Sequence, residues 1–207
     1  MAYVLGFFVA DGSMVKNRRG AHFIEFQITD KDLLKKIRKL FGSNHKISIR
    51  KNKSNKWKTV YRLQIGSKEI FNDLLRIGLF PHKAKRIRLP NIPKEYFSHF
   101  VRGYFDGDGN VTICTYKRKA RNNKPTTILQ SGFTSGSKKF LADLKNKLLK
   151  EKIVKGGTFY YSNNGWRLYF SINDSRKLYN YLYAGLNKTD KLFLKRKKIV
   201  FEKYLRA

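Results

Sequence analysis

Apolar residues follow a helical spacing in some segments and a strand spacing in others, and the order of these segments occurs twice. Each half begins with an apolar, helix-like segment that ends in Asp-Gly. Two strand-like runs, an amphipathic helix, a hairpin and a closing helix follow. The segments are VLGFFVADG, SMVKNR with AHFIEFQIT, DKDLLKKIRKLFG, KISIRKN with KWKTVYRLQI and SKEIFNDLLRIGL, and then VRGYFDGDG, NVTICTYKR with TTILQSGFT, SKKFLADLKNKLLKE, GTFYYS with WRLYFSI and NDSRKLYNYLYAG.

This order predicts an α+β fold built from two αββαββα repeats. The stretch LPNIPKEY between the halves holds two of the four prolines, which disfavour a continuous helix. We therefore expect one repeat in residues 1–96 and a second in residues 97–207. In the second repeat, Asn164-Gly165 predicts a hairpin turn, and a further basic helix is expected from about Lys188.

Charge is the dominant anomaly of the composition. The 207 residues include 46 Lys and Arg against 14 Asp and Glu, which gives a formal net charge of +32. Such self-repulsion indicates a polyanionic partner, and nucleic acid is the first candidate. An anionic membrane surface is the competing hypothesis, for which the C-terminal LFLKRKKIVFEKYL is the nearest match. Because both halves are strongly basic, nucleic acid is favoured and no membrane partner is expected.

The cysteines and the N-terminus exclude other classes of protein. A single cysteine, Cys114, excludes a disulfide framework and a cysteine-based zinc site, and the four histidines match no metal spacing. No signal peptide and no apolar run of membrane-spanning length is visible. We expect an intracellular protein that is not secreted, located in the cytoplasm or nucleoid of a prokaryote or in an organelle.

The two Asp-Gly segments place small residues on one helix face. Gly6 and Ala10 lie four residues apart, as do Gly103 and Gly107. Small residues at this spacing allow two helix backbones to approach closely. If the two segments pack on each other, the acids that follow arrive side by side at one end.

Asp11 and Asp108 are those acids. Two adjacent carboxylates repel each other unless a cation lies between them, and carboxylates with water and phosphate oxygens suit Mg²⁺. A single Asp-Gly after an apolar helix is more often a helix stop with a left-handed glycine. However, acid is disfavoured at a helix C-terminus, and two matched copies in an acid-poor chain favour a metal site.

The two segments resemble the paired signature of the LAGLIDADG homing endonucleases, in the form with two copies in one chain. The resemblance extends over the whole chain and includes FPHKAKRIRLPNIP and LYAGLNKTDKLFLKRKKIVFEKY. It implies two four-stranded antiparallel sheets that form a DNA-binding saddle, with the signature helices at the central interface. It also implies a divalent cofactor, Mg²⁺ or another cation such as Mn²⁺, held by Asp11 and Asp108, with the neighbouring Ala10 and Gly107 at the same sites.

The earlier acid of the family signature is not matched in both copies. Its position is Val9 in the first copy and Asp106 in the second. Asp106 lies two residues before Asp108, so a helix turns it roughly 200° away. We expect Asp106 to be structural or exposed to solvent.

The resemblance assigns catalytic support to three further residues. Gln27, for which we place Gly132 as the counterpart in the second half, would orient water near the metal. Lys83 and its looser counterpart Lys191 would lie near the scissile phosphates. The alternatives are an ordinary strand glutamine and surface lysines.

The predicted hairpins supply candidates for reading DNA, because a two-stranded ribbon fits the major groove. The alternative for each single residue is a solvated charged face, and the side-chain register is open. The candidates are Lys16, Arg18, Arg50, Lys56, Lys58, Arg62, Lys117, Lys119, Arg121, Tyr161 and Arg167.

The leading hypothesis is a monomeric, metal-dependent endonuclease that cuts both DNA strands at a long asymmetric site of roughly two helical turns. It would need no obligate protein partner, and an intron-encoded mobile element fits better than an intein. The alternatives are a maturase, a splicing cofactor that binds host intron RNA, and a DNA-binding regulator that has lost catalysis.

Overall fold

A computed structural model describes residues 1–50, 58–117, 122–186 and 192–206, and shows the predicted α+β order. The two αββαββα repeats are confirmed, with one additional helix at the C-terminal end. The elements in the described ranges are α1 Ala2–Asp11, β1 Gly12–Lys16, β2 His22–Ile28, α2 Lys31–Leu40, β3 Ile47–Arg50, β4 Val60–Gly66, α3 Lys68–Arg76, α4 Lys94–Asp108, β5 Gly109–Lys117, β6 Pro125–Ser135, α5 Lys138–Lys150, β7 Thr158–Ser162, β8 Gly165–Phe170, α6 Ile172–Tyr183 and α7 Lys195–Arg206, with a 3₁₀ turn at Lys83–Lys85.

The chain divides into two compact units, Met1–Gly107 and Asp108–Ala207. All but the last residue of α4 therefore belongs to the first unit. The boundary proposed from the sequence, after residue 96, falls inside α4, which begins at Lys94, and stays a prediction. Each unit contains one four-stranded antiparallel sheet, with strand order β1-β2-β4-β3 in the first and β5-β6-β8-β7 in the second.

The sheet of the first unit has a covered face and a polar face. Ile24, Phe26, Leu63 and Ile65 point to the covered face and are at most 5% exposed. Helices α2 and α3 pack there, and the Phe26 ring contacts that of Phe8 with centroids 5.3 Å apart. Residues at the alternate positions share the opposite side, because side chains alternate along a strand.

The second unit repeats this arrangement with its own core. Phe133 and Leu168 oppose each other across β6 and β8 and are both fully buried. Helix α5 packs on this sheet through its buried residues Phe140, Leu141 and Leu144. Each sheet therefore leaves one face uncovered by helices of its own unit.

Among the residues that the structure describes, four helices begin with a side-chain cap, which explains why they start where they do. In each case a side-chain oxygen accepts a hydrogen bond from the backbone N–H three residues later. This satisfies one of the amide groups that the first helical turn leaves unpaired. The caps are Asp30 for α2, Ser67 for α3, Ser137 for α5 and Ser171 for α6.

Two local predictions differ from the structure. The second hairpin turns at Asn163 and Asn164, which have positive φ values of 51° and 58°, while Gly165 already pairs with Ser162. The turn thus lies one residue earlier than Asn164-Gly165, because both residues at its centre need the left-handed conformation that asparagine tolerates. Helix α7 begins at Lys195 rather than near Lys188; residues 187–191 lie outside the described residues.

Within the described ranges, helices are either too short or too polar to cross a membrane.

Candidate active site

Helices α1 and α4 of the first unit touch at their glycines. A methyl group added at Gly6 would overlap Phe100 O and lie 2.9 Å from Tyr104 N. Added at Gly103, it would overlap Tyr3 O and lie 2.9 Å from Phe7 N. Each glycine therefore receives the backbone of the other helix, so close helix packing at these glycines is confirmed.

Asp11 is the last residue of α1, and Gly12 begins β1. The alternative of a left-handed glycine stop is wrong for Gly12, whose φ of −83° and ψ of 153° are those of extended backbone. Glycine is required here for space, because a Cβ atom would overlap the Phe8 ring. The chain passes directly from the helix into the strand, and Asp108 stands at the equivalent junction between α4 and β5.

Gly107 keeps space open beside the Asp11 carboxylate. A Cβ atom at Gly107 would lie 3.1 Å from Asp11 Oδ2 and would overlap the Ala10 methyl group. The Asp11 side chain is exposed, whereas Asp108 is half-buried. Of the four residues predicted to hold metal, Ala10, Asp11 and Gly107 thus lie together within the first unit, and their role as ligands stays a prediction.

The described residues contain no cluster of three or more His, Cys, Asp or Glu that could hold a metal ion. A site at Asp11 would therefore rely on one carboxylate, backbone carbonyl oxygens, water and a ligand. Mg²⁺ is usually bound in this way, through one or two carboxylates with water and phosphate oxygens. The donor set and the space beside Asp11 fit a hard divalent cation.

Lys83 points at the backbone next to Asp11. Its ammonium group donates a hydrogen bond to the carbonyl oxygen of Gly12. Lys83 is buried, with only 8% of the residue exposed. The ammonium also lies 5.4 Å from the centre of the Phe8 ring. The alternative of a surface lysine is wrong for Lys83.

The second unit contains the same feature, made by Lys197 from α7. Its Nζ donates to Gly109 O at 2.6 Å, and the residue is 6% exposed. Lys197 thus makes in the second unit the contact that Lys83 makes in the first, and the pairing of Lys83 with Lys191 stays a prediction. Lys191 itself lies outside the described residues. The sequence gives little reason to select Lys197, because all four residues from 195 to 198 are basic.

Gln27 lies on the polar face of the first sheet in a hydrogen-bonded group. Its amide nitrogen donates to Glu25 Oε1, and its Oε1 accepts from Arg50 Nη1 at 2.9 Å. The Arg62 side chain binds the same Glu25 carboxylate. Together with Ser48 and Ile49, these residues line a cleft of about 480 Å³.

The strand register corrects the counterpart of Gln27. Gly12 opposes Phe26 in the first sheet, and Gly109 opposes Phe133 in the second. Gln27 therefore corresponds to Thr134, and Gly132 corresponds to Glu25. The prediction that Gly132 replaces Gln27 was wrong by two residues.

The register also sorts the predicted DNA-binding residues by face. Arg62 opposes Gln27 and Ser48, and Arg50 shares their side through its bond to Gln27. In the second sheet Arg167 opposes Thr134 and Tyr160. Tyr161 points to the other side, where its ring lies 5.0 Å from that of Trp166. Tyr160, which the sequence analysis did not select, is the tyrosine that shares a face with Arg167.

The other candidates lie at strand ends or outside the described residues. Lys16 and Lys117 are the final residues of β1 and β5, and both are exposed. Both lie in register with the covered face rather than the polar face. Each is an even number of residues from the glycine that opposes Phe26 or Phe133. Arg18 and Lys58 are exposed outside strands, whereas Lys56, Lys119 and Arg121 lie outside the described residues.

Asp106 is structural rather than exposed. It is 1% exposed, and its Oδ2 accepts a hydrogen bond of 2.7 Å from the Tyr3 hydroxyl. The bond joins α4 to α1 within the first unit. The acid that the first copy lacks is therefore used in the second copy for helix pairing.

Comparison with solved structures shows the same fold in proteins of low sequence identity. I-SmaMI bound to uncleaveable DNA is 14% identical with a TM-score of 0.66, covering 99% of this chain and 88% of that one. The LAGLIDADG meganuclease I-AabMI bound to uncleaved DNA is 12% identical with a TM-score of 0.66, covering 99% and 88%. Mesophilic variants of the homing endonuclease I-DmoI are 15% identical with a TM-score of 0.58, covering 90% and 96%.

Curated relatives match over unequal lengths. The probable translation initiation factor IF-2 of Thermococcus kodakarensis is 38% identical over 105 residues, which are 46% of this chain and 8% of that protein. An uncharacterized protein of Methanocaldococcus jannaschii is 23% identical over 182 residues, which are 81% of this chain and 60% of that protein. The chain thus spans less than two thirds of either relative.

The family comparison covers α1 and the sheet of the first unit. Residues 1–77 match the LAGLIDADG-like domain family, and the resemblance inferred from the two Asp-Gly segments is confirmed. The chain is therefore similar to the LAGLIDADG-like family over residues 1–77, and it has the fold of the meganuclease I-SmaMI over 99% of its length.

Proposed function

We propose that the protein is a site-specific endonuclease that cuts both strands of a long, asymmetric DNA site and acts as a monomer. The observation that supports this most strongly is a duplicated acid and lysine. Asp11 is followed by Gly12, whose carbonyl binds Lys83, and Asp108 is followed by Gly109, whose carbonyl binds Lys197. Two copies in one chain provide one such set for each strand of a duplex.

The cofactor would be a divalent cation, Mg²⁺ or Mn²⁺, held by the carboxylates of Asp11 and Asp108 with backbone oxygens of Ala10 and Gly107. Such an ion lowers the pKa of bound water and stabilises the charge on the leaving oxygen in phosphodiester hydrolysis. The space that Gly107 leaves beside Asp11 Oδ2 supports this assignment.

The two lysines would act next to the carboxylates. A buried ammonium that binds the carbonyl after each acid fixes the helix-to-strand junction and hence the direction of the carboxylate. It also brings a positive charge close to the place where negative charge develops on the phosphate. Both effects need the lysine in its buried position, which an exposed neighbour such as Lys85 cannot replace.

DNA would lie along the polar faces of the two sheets. The net charge of +32 supports binding to phosphate, and Arg62 and Arg167 at equivalent positions supply donors for base edges. The solved relatives bound to DNA support a duplex rather than RNA as the partner. Retention of the acid and lysine in both units favours cutting over the maturase alternative.

The test is cleavage of a genomic or randomised DNA library with Mg²⁺ and with EDTA, followed by sequencing of the ends. We expect one extended motif, cut on both strands only with the metal ion. The control is the protein with both Asp11→Asn and Asp108→Asn, which should bind the same motif without cutting.

The opposite outcome is also informative. If no metal-dependent ends arise from a library that contains an intron-free host gene, the endonuclease is excluded. Stimulation of splicing of an intron RNA by the same preparation would then support the maturase.

A further inference from the structure

The polar faces of the two sheets differ at one pair of equivalent positions. Glu25 in β2 precedes Phe26, which opposes the first residue of β1. Gly132 in β6 precedes Phe133, which opposes the first residue of β5. A buried acid therefore stands in one unit where the other has no side chain. Arg62 and Arg167 are equivalent in the two sheets, since they oppose Gln27 and Thr134, which lie two residues after Glu25 and Gly132 on the same face.

Glu25 holds the Arg62 guanidinium from one side. Arg62 Nε donates to Glu25 Oε2 at 2.6 Å, and Nη2 forms an ion pair with the same oxygen. The Glu25 side chain is 6% exposed and that of Arg62 is 39% exposed. A buried carboxylate needs a charged partner, so this pair has a strong preference for one geometry.

Two glutamines complete the support of the carboxylate. Gln27 donates to Oε1, and Gln64 Nε2 lies 3.4 Å from Oε2. Gln27 in turn binds Arg50 Nη1 at 2.9 Å. The whole group is a connected network in which Glu25 is the common acceptor.

The pair leaves one edge of the Arg62 guanidinium available. Nε and Nη2 form the edge that faces Glu25, whereas Nη1 has no hydrogen-bond partner among the residues that the structure describes. Nη1 and the second N–H of Nη2 form the other edge of the guanidinium. This edge can donate to guanine O6 and N7 at the same time.

The second unit has no such support for Arg167. A Cβ atom at Gly132 would lie 2.6 Å from Tyr169 Cδ1, so the tyrosine ring occupies the space beside this glycine. The Tyr160 ring lies 6.0 Å from that of Tyr169 on the same face. Arg167 makes no ion pair with a described residue, and its surroundings are aromatic rather than acidic.

We propose that Glu25 is a positioning residue that makes the first unit read one guanine strictly through Arg62, whereas the second unit reads the equivalent position through Arg167 with tolerance. This inference rests on the proposed function, since it assumes that the polar faces contact DNA. A fixed guanidinium loses little rotamer freedom on binding guanine and is kept from the phosphates. A guanidinium without an acidic partner can bind either a guanine or a phosphate.

The experiment measures base preference at every position of the site by selection from a randomised library in Ca²⁺, which separates binding from cutting. The variants are Arg62→Ala, Glu25→Gln and both together. Arg62→Ala should lower the preference for guanine at one position by about tenfold, in line with the value of one bidentate contact. Glu25→Gln should lower the preference for guanine at the same position by about threefold to tenfold. The double variant should show little more loss than Arg62→Ala alone, because Glu25 acts through Arg62.

Controls separate positioning from a structural role. Glu69→Gln, an exposed acid on α3, should leave every position unchanged. Arg167→Ala should change the preference at its own position by less than about threefold, smaller than the effect of one bidentate contact. An unchanged profile for Glu25→Gln, or equal weakening for all bases, would overturn the proposal.

The result also distinguishes this inference from the proposed function. Wild-type protein that selects a site but never cuts it refutes the endonuclease, while the base profile still decides the role of Glu25. Wild-type protein that selects no DNA sequence overturns both.

Discussion

The hydroxyl of Tyr3 donates a 2.7 Å hydrogen bond to the carboxylate of Asp106, and both residues are at most 2% exposed. The bond joins the first turn of α1 to the last turn of α4, next to the glycines through which the two helices touch. The pairing of the motif helices thus depends on this polar contact as well as on the absence of side chains at the glycines.

Tyr3→Phe should destabilise the protein without changing its chemistry. Removing the donor from a buried acceptor costs about 1–3 kcal/mol of the free energy of unfolding. Urea denaturation followed by circular dichroism measures the change. Tyr96→Phe, on an exposed tyrosine of α4, is the matched control. Equal stability of the two variants would mean that the bond contributes nothing.

Gly103→Ala should be more damaging than an alanine elsewhere. The new methyl group would overlap Tyr3 O, so α1 and α4 must separate, and overpacking of this kind costs about 1–3 kcal/mol or more. Gly185→Ala is the control, because nothing lies within 4 Å of its added Cβ. The difference in thermal midpoint between these variants tests the close contact.

Lys83→Met and Lys197→Met should each slow cutting while leaving site binding nearly unchanged. Loss of one preorganised positive group at a reacting phosphate typically lowers the rate by about 100-fold to 1,000-fold. Single-turnover cleavage with saturating protein measures the rate, and a gel-shift assay measures binding. Lys85→Met and Lys195→Met, which change exposed lysines beside the buried ones, should cut at the wild-type rate. Loss of binding in parallel with cutting would contradict a role at the phosphate.

Asp11→Asn and Asp108→Asn, taken singly, should each abolish double-strand cutting. If each acid serves mainly one strand, the single variants should leave nicked circles from a supercoiled plasmid that contains the site. We expect linear product to fall at least about 100-fold, as for other groups that stabilise charge at the reacting atoms. Linear product from either variant at the wild-type rate would show that the acid is not a metal ligand.

Affinity for DNA of random sequence should depend steeply on salt. Neutralising 6–10 phosphates would lower the association constant by about 10³-fold to 10⁵-fold between 50 and 200 mM salt. Fluorescence anisotropy with a labelled duplex measures the slope. A flat dependence would mean that the charge of +32 does not act through phosphate contacts.

The repeat and its motifs could be predicted because they depend on local sequence. Apolar spacing separates helices from strands over a few residues, and Gly6 and Gly103 each stand at a fixed distance before an acid. Capping residues such as Ser137 and the excess of lysine are equally local. The fold and the close contact of the glycine-bearing helices follow from these features, whereas the polyanionic partner stays a prediction.

The buried lysines show what local sequence could not provide. Lys197 was not among the residues selected from the sequence, because a run of basic residues has no spacing that distinguishes one lysine. What distinguishes Lys197 is that α7 packs on β5 and brings its ammonium to Gly109 O. Lys197 and Gly109 are 88 residues apart in the sequence, so their contact depends on tertiary packing and not on local sequence.

Sequence by itself determined which elements form and which residues end the motif helices. Tertiary structure alone decided the strand register. It places Tyr160 rather than Tyr161 on the face of Arg167, and it makes Glu25, two residues from Gln27 on the same face, the counterpart of Gly132. The reason is that side chains alternate along a strand, so a shift of one residue moves each of them to the other face. Only the pairing of strands, fixed by the burial of Phe26 and Phe133, sets that register.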